Sequence, residues 1–134
     1  MPEGQPAKKA VLHAIAPHFP VPDVVAAAEY YRDTFGFEIL NYFGEPPVFV
    51  MVRRDKIEIQ FSKLEDGKSP APISQGRPLG LDAYIWIDDA GALCAELQSR
   101  GAKILEGPVK RIYGCVEVTV QDLNGYQIVF GACP

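Results

Sequence analysis

The stretch VPDVVAAAEYYRDTFGFEIL, residues 21–40, contains a helix start, a helix stop and the strand that follows, and so predicts the basic unit of the architecture. Asp23 stands where an N-cap carboxylate accepts the first free backbone amides of a helix. Apolar side chains then recur at the spacing of one helical face: Ala27, Tyr30, Tyr31 and Phe35. Gly36 can adopt the left-handed conformation that ends a helix. The stretch therefore predicts a capped helix that leads into a strand.

The same pattern returns in IDDAGALCAELQSRGAKIL, residues 87–105. Asp88, or its neighbour Asp89, is the N-cap candidate, and Gly101 is the stop. Asp23 and Gly36 are 13 positions apart, as are Asp88 and Gly101. The apolar face of this second helix consists of Ala90, Leu93, Cys94 and Leu97. The two copies are 65 residues apart in a chain of 134, which indicates an internal duplication.

Further strands follow each helical stretch. Residues 48–52 and 57–61 form a predicted hairpin. Residues 115–120 and 126–130 form another, around an Asn-Gly dipeptide that favours a tight turn. The stretch between the modules holds three prolines and three glycines, so we interpret it as a linker. The predicted bounds are a disordered tail over 1–9 and a single domain over 10–134, made of module one (10–62), linker (63–80) and module two (81–131).

Alternation along the strands separates an apolar face, expected to pack under the helices, from a face of mixed chemistry. The apolar set is Phe19, Val21, Ile57, Ile59, Phe61, Ile85, Val118, Val120, Ile128 and Phe130. The opposite set is His18, Glu58, Gln60, Asp82, Tyr84, Trp86 and Glu117. Aromatic walls with a few polar groups are typical of ligand sites. If the sheet curls, these residues line a concave cup that binds a ligand, whereas on a flat sheet they are only solvated.

Bulk composition excludes several classes of function. The formal net charge is −4, and no basic stripe is present to bind nucleic acid. No apolar run reaches the roughly 20 residues that a membrane-spanning helix needs. The N-terminus lacks an apolar secretory segment, so the expected location is the cytoplasm. Three cysteines without a CxxC spacing argue against a disulfide framework or a zinc site, and we expect Cys94 to be a small buried hydrophobe.

Two motifs resemble those of a known superfamily. Residues 21–38 resemble the pattern VxDxxxxxxFYxxxLGF, and residues 122–130 resemble DPDGxxIEF, the opening and closing signatures of the vicinal-oxygen-chelate superfamily. This superfamily includes glyoxalases, dioxygenases and bleomycin-resistance proteins. The resemblance covers residues 10–131 and the duplication. It implies an α+β fold of two tandem βαβββ modules, with eight strands curled around a cup, within a homodimer.

The resemblance also implies where metal-dependent relatives would hold a divalent ion. The corresponding positions are Ala16, Glu58 or Gln60, Asp82 and Val129. Two of these are alkyl side chains, so we expect neither a metal nor another cofactor. One alternative stays open, a shifted site of His18, Glu58 and Asp82 that would suit Mn²⁺, Fe²⁺ or Zn²⁺.

Three functional hypotheses follow, and they leave open whether the chain is an enzyme. The first is a metal-independent binding protein of the bleomycin-resistance type, which sequesters an aromatic, cationic ligand: Trp86 and Tyr84 stack on it, while Glu58, Asp82 and Glu117 offset its charge. The second is a metal-dependent lyase, isomerase or dioxygenase with Glu58 or Glu117 as proton carrier. The third is a dimerisation or regulatory domain whose aromatic face is a protein interface.

Overall fold

The chain forms two βαβββ modules in a computed structural model that describes residue 4, residues 7–78 and residues 80–134. The predicted tail over 1–9 lies outside them, apart from residue 4 and residues 7–9. Module one comprises β1 (His18–Val21), α1 (Val24–Phe35), β2 (Glu38–Phe43), β3 (Phe49–Arg54) and β4 (Ile57–Lys63). Module two comprises β5 (Ala83–Trp86), α2 (Ala90–Ser99), β6 (Lys103–Lys110), β7 (Val116–Gln121) and β8 (Gln127–Ala132). The predicted α+β fold of two tandem modules is confirmed.

Each module contributes one mixed four-stranded sheet. Sheet A has the order β1-β4-β3-β2, and sheet B has the order β5-β8-β7-β6. The first strand of each module runs parallel to the last, with Phe19 beside Phe61 in sheet A and Ile85 beside Phe130 in sheet B. The remaining strand pairs are antiparallel. The eight strands thus lie in two hydrogen-bonded sheets, one from each copy of the duplication.

The helix ends follow the sequence pattern, with one adjustment. Asp23 Oδ1 accepts hydrogen bonds from the backbone N–H groups of Val25 and Ala26, and Gly36 ends α1 with φ of 74°. In α2 the N-cap is Asp89, whose Oδ1 lies 2.9 Å from the backbone nitrogen of Ala92. The alternative N-cap Asp88 is therefore wrong. The second helix is also shorter, with 10 residues against 12. Both helices are too short to cross a bilayer.

One hydrophobic core runs through both modules. It includes residues predicted from alternation, among them Val21, Ile59, Phe61, Val118 and Ile128, all fully buried. These side chains lie beneath the helices because β-strands turn every second side chain to the same face. The mixed-chemistry face is therefore left on the outer side of each sheet.

Among the polar contacts between the modules, two link a helix of one module to a hairpin of the other. The Tyr31 hydroxyl on α1 donates to Asp122 Oδ2 at the end of β7, at 2.7 Å, and this pair is buried. Arg54 at the end of β3 reaches Glu96 on α2, also at 2.7 Å. In each case a helix of one module binds the hairpin of the other. The two modules of one chain thus pack against each other directly.

The linker over 63–80 is attached to module two at Ser74. This buried residue donates from its backbone nitrogen and its Oγ to the carboxylate of Asp82, at 3.2 and 2.5 Å. Asp82 also accepts from the backbone N–H of Gln127 at 2.8 Å. These three hydrogen bonds occupy the carboxylate, so Asp82 anchors the linker and the start of β8.

Cys115 and Cys133 form one disulfide, although the number and spacing of the cysteines argued against a disulfide framework. The reason is the strand register: Val116 pairs with Ala132, which makes the two cysteines the next facing pair. Cys94 is a buried free thiol, as predicted. Disulfides are rare in reducing compartments such as the cytoplasm, so this bond argues against the expected cytoplasmic location. The compartment itself stays a prediction.

Candidate functional site

A buried carboxylate lies at the centre of the outer face of sheet B. Glu117 projects from β7 on the face away from the helices, yet only 3% of it is exposed. Its Oε1 accepts from Arg111 Nε at 2.9 Å, and its Oε2 accepts from the hydroxyls of Tyr84 and Tyr113 at 2.8 and 2.6 Å. We call these residues, together with Trp86, the Glu117 cluster.

The protonation states within the cluster follow from these contacts. Burial raises the pKa of Glu117, but the hydrogen bonds from Tyr113, Arg111 and Tyr84 outweigh it, so the pKa lies below its ordinary value. Burial and the hydrogen bond to Glu117 raise the pKa of Tyr84 to about 12. At neutral pH the carboxylate is therefore ionised and the phenol is neutral. With three donors bound, Glu117 is a charge-bearing anchor and a poor proton carrier.

Trp86 forms the exposed part of the cluster. It is 71% exposed, and its ring centroid lies 5.0 Å from that of Tyr84 at an interplanar angle of 57°. Tyr84 crosses β8 at Gly131, where a Cβ atom would overlap the phenol. The missing side chain at Gly131 thus lets Tyr84 reach Glu117, and the two aromatic rings form a platform above the buried carboxylate.

The other predicted site residues lie on the outer face of sheet A. His18 Nε2 is 2.7 Å from Ser62 Oγ, and its ring packs 5.9 Å from that of Phe49. Gln60 donates to Glu58 Oε2 at 3.1 Å. Arg53 lies 3.7 Å from Glu58 Oε1, and about 25% of the Glu58 side chain is exposed. We call His18, Phe49, Glu58, Gln60 and Ser62 the His18 cluster.

A cavity of about 570 Å³ borders the His18 cluster. It lies between the extended N-terminal segment and the end of β3, and it is lined by Ala14, Ile15, Ala16, Arg53, Asp55, Lys56, Glu58 and Gln60. Glu58 is therefore the predicted site carboxylate that faces open space. Glu117, in contrast, is covered by its own partners.

The structure brings the predicted residues together in two groups, one on each sheet. Tyr84, Trp86 and Glu117 belong to the first, and His18, Glu58 and Gln60 belong to the second. In the part of the chain that the structure describes, the hydrogen bonds and ring contacts of each group stay within its own sheet. A single cup lined by both groups would require the outer faces of sheet A and sheet B to lie opposite each other.

The residues at the positions implied for a divalent metal do not fit one. Ala16 and Val129 have no donor atom, and Val129 is buried between Tyr84 and Thr119 on the neighbouring strands. The carboxylate of Asp82 is bound by Ser74 and Gln127. Over residue 4, residues 7–78 and residues 80–134, no group of three or more His, Cys, Asp or Glu side chains is placed to hold an ion. The shifted site of His18, Glu58 and Asp82 is therefore not assembled.

Sequence reasoning missed three residues of the site. Arg111 and Tyr113 lie in the turn between β6 and β7, and their contact with Glu117 depends on how that turn folds. Gly131 directly follows the predicted strand over 126–130. Only with that strand extended to Ala132, as in the structure, does Gly131 give the signal of an isolated strand glycine, which often marks a close approach by another group. The two turn residues carried no such signal.

Comparison with known proteins supports the fold. The family model described as "Glyoxalase/Bleomycin resistance protein/Dioxygenase superfamily" matches residues 11–130. A search of curated proteins found no match. Three similar solved structures are TioX from Micromonospora sp. ML1, TnmS3, an antibiotic binding protein from Streptomyces sp. CB03234, and lactoylglutathione lyase from Agrobacterium tumefaciens.

These three structures share the architecture at low sequence identity. TioX is 16% identical with a TM-score of 0.71, over 91% of this chain and 99% of its own. TnmS3 is 24% identical with a TM-score of 0.70, over 95% and 100%. The lyase is 18% identical with a TM-score of 0.67, over 92% and 96%. At such identities the likeness concerns the fold, which a binding protein and an enzyme evidently share.

Proposed function

The chain belongs to the glyoxalase/bleomycin resistance protein/dioxygenase superfamily, and from this premise we propose that it is a metal-independent binding protein for an aromatic, cationic small molecule. The observation that carries the proposal is the Glu117 cluster. A large exposed indole, a second ring beside it and an ionised carboxylate beneath them form a stacking platform with a fixed negative charge. Stacking and cation–π contacts on such rings favour planar cations.

The charge balance of the cluster supports a cationic ligand. Arg111 pairs with Glu117 and also with Glu106, so two carboxylates share one guanidinium. Tyr84 and Tyr113 stay neutral, because the hydrogen bond to Glu117 contributes to raising the pKa of both. The ion-pair group of Glu106, Arg111 and Glu117 thus has an excess of one negative charge, and Tyr84 links Glu117 to the exposed indole. A planar cation stacked on Trp86 would offset that charge.

We further propose that the complete cup forms in a homodimer. Apolar side chains are exposed on the N-terminal segment, where Leu12 and Ile15 are 93% and 92% exposed, and on the β6–β7 turn at Ile112. Exposed apolar patches mark protein interfaces. The two clusters lie on separate sheets of one chain, so a second copy could bring the His18 cluster of one chain opposite the Glu117 cluster of the other. Light scattering should give twice the monomer mass, and Leu12→Asp with Ile15→Asp should give the monomer.

The binding proposal is tested with the single tryptophan of the chain. Titration with bleomycin and with the planar cation proflavine should quench the fluorescence of Trp86 in a saturable manner. Calorimetry should then show binding at least about tenfold weaker in Trp86→Leu, a size expected for losing an aromatic anchor. Phe43→Ala is the matched control, an exposed aromatic on β2 away from the cluster. No response to either ligand up to millimolar concentration would refute the proposal.

Glu58 supports a second candidate function, proton transfer in an enzyme of the lyase or isomerase type. Its carboxylate is accessible and borders the cavity of about 570 Å³, a size that admits a small substrate. The enzyme hypothesis requires a metal ion, whereas the binding hypothesis does not, and the implied metal positions do not fit an ion. Elemental analysis of protein purified without chelator therefore tests both hypotheses. Near-stoichiometric metal that is lost in the double variant His18→Ala with Glu58→Ala would favour the enzyme over the binding protein.

A further inference from the structure

The duplication creates two equivalent grooves where the modules meet, and their contents differ. The strand registers define the equivalence: Phe19 in β1 pairs with Phe61, and Ile85 in β5 pairs with Phe130. Four positions before Phe61 is Ile57, and four positions before Phe130 is Tyr126. Phe19 therefore corresponds to Ile85, and Tyr126 corresponds to Ile57.

The first groove is filled by the protein itself. The rings of Phe19 and Tyr126 stack with centroids 4.4 Å apart and planes 9° from parallel, and both residues are 4% exposed. The hydroxyl of Tyr126 donates to the backbone carbonyl of Pro20 at 2.6 Å. The phenol side chain of Tyr126 thus fills the groove, with its ring stacked on Phe19 and its hydroxyl bound to a backbone carbonyl at the edge of β1.

The second groove is a cavity of about 550 Å³. Ile57 and Ile85 replace the tyrosine and the phenylalanine, so two aromatic rings are replaced by two branched aliphatic chains. Phe37, Leu93 and Phe130 complete an apolar wall, and Trp86 lies at the rim. The space corresponds in position to that taken by the ring of Tyr126 in the first groove.

The polar partner of the phenol is present in the second groove as well. Trp86 corresponds to Pro20, because Trp86 follows Ile85 and Pro20 follows the equivalent residue Phe19. The backbone nitrogen of Ile87 donates to Gly131, so Ile87 faces β8. Backbone groups of neighbouring strand residues point in opposite directions, which turns the Trp86 carbonyl to the open edge of β5.

We propose that this cavity, named the Ile57 pocket, binds a small phenol whose ring takes the place of the Tyr126 ring and whose hydroxyl donates to Trp86 O. The charges at the mouth select among phenols. Asp55, Asp88, Asp89 and Glu96 line it with only Arg54 and Lys56 as cations, so the lining carries a net charge of −2. Neutral and cationic phenols are therefore favoured over phenols that carry a carboxylate.

The probe is p-cresol, the side chain of tyrosine as a free molecule. In protein labelled at isoleucine and leucine methyl groups, NMR titration should shift the methyl signals of Ile57, Ile85 and Leu93, with a dissociation constant on the order of 1 mM for so small a ligand. Tyramine should bind several-fold more tightly than p-cresol, and 4-hydroxyphenylacetate several-fold more weakly. 4-Methylanisole, which lacks the donor, should also bind more weakly than p-cresol.

Two variants close the pocket by different routes. Ile57→Tyr restores the ring of the first groove, and Ala92→Leu narrows the mouth from an exposed position on α2. Ile57→Leu is the matched control that keeps the volume. Loss of the p-cresol shifts in either folded closing variant, with retention in the control, supports the proposal. Unchanged binding in the closing variants, or no shift of these methyl signals in the natural chain, overturns it. Because Trp86 also lies at the rim of this pocket, proflavine titration of Trp86 in the folded closing variants is the separate readout of the Glu117 cluster.

Discussion

Replacing Tyr31 by phenylalanine removes a single oxygen atom and, with it, the buried hydrogen bond between the modules. In the native chain Asp122 accepts from the Tyr31 hydroxyl and from the backbone N–H groups of Asn124 and Tyr126, at 2.7, 2.8 and 2.9 Å. Tyr31→Phe leaves the two backbone bonds in place and deprives Oδ2 of its donor. The variant thus isolates one contact between α1 and the β7–β8 turn.

The expected cost follows from burial and charge. Asp122 is only 6% exposed, so water cannot easily replace the lost donor. Hydrogen bonds to charged groups contribute about 1.5–3 kcal/mol, and we expect a loss of ~2 kcal/mol in the free energy of unfolding at pH 7. The phenylalanine ring keeps the contacts that Tyr31 makes with Phe35 and Phe61, both at centroid distances of 4.9 Å. For a chain of this size such a loss lowers the melting temperature by about 7 °C.

The assay is urea unfolding followed by far-UV circular dichroism, since an exposed Trp86 reports poorly on the core. Tyr30→Phe is the matched control: it removes a hydroxyl from the adjacent tyrosine, which is less buried. The control should lose less than about 0.5 kcal/mol, as surface changes usually do. If Tyr31→Phe is no more destabilising than Tyr30→Phe, the contact does not hold the modules together and the reasoning is refuted.

Further predictions concern pH and the redox state. Burial raises the pKa of Asp122 against the effect of its hydrogen bonds, so its contribution to stability is present at low pH and is lost as the pH rises through the folded-state value. The pKa of Glu117 is lowered, so its contribution is present above the unfolded-state value, near 4.5, and is lost as the pH falls through the folded-state value. In acid titrations of stability, Glu117→Gln should therefore flatten the acid limb, whereas Asp122→Asn should steepen it; equal limbs in all three proteins would contradict both assignments. Cys115 and Cys133 close a loop of 18 residues, so a reductant should cost up to about 3 kcal/mol. The double variant Cys115→Ser with Cys133→Ser should be insensitive to reductant, and equal sensitivity in both proteins would disprove the crosslink.

The fold was predictable because its signals are local. Alternation placed Ile59, Phe61 and Val118 in the core, since the strand period depends only on neighbouring backbone geometry. The caps at Asp23 and Gly36 are equally local. Because the sequence pattern of the first module recurs in the second half of the chain, the second module could be predicted from the first.

The site was only partly predictable, because its contacts depend on register and turns. The face of Glu117 and Tyr84 follows from alternation, but their contact requires Gly131 in the strand between them. The disulfide was missed because 18 residues separate its cysteines, and only the pairing of β7 with β8 brings them together. Asp82 was assigned to the ligand face, but its carboxylate is bound by Ser74 of the linker. Strand periodicity cannot predict this contact.

The two parallel edge strands differ in their capacity to accept another strand. In β1 the carbonyls of Pro17 and Val21 accept from the backbone N–H groups of Gln60 and Leu64, which turns position 20 outward, and the proline there has no N–H to offer. In β5 the corresponding position is Trp86, which keeps its amide on the open edge. An extended peptide can therefore lengthen sheet B by β-augmentation through β5, while β1 resists such growth.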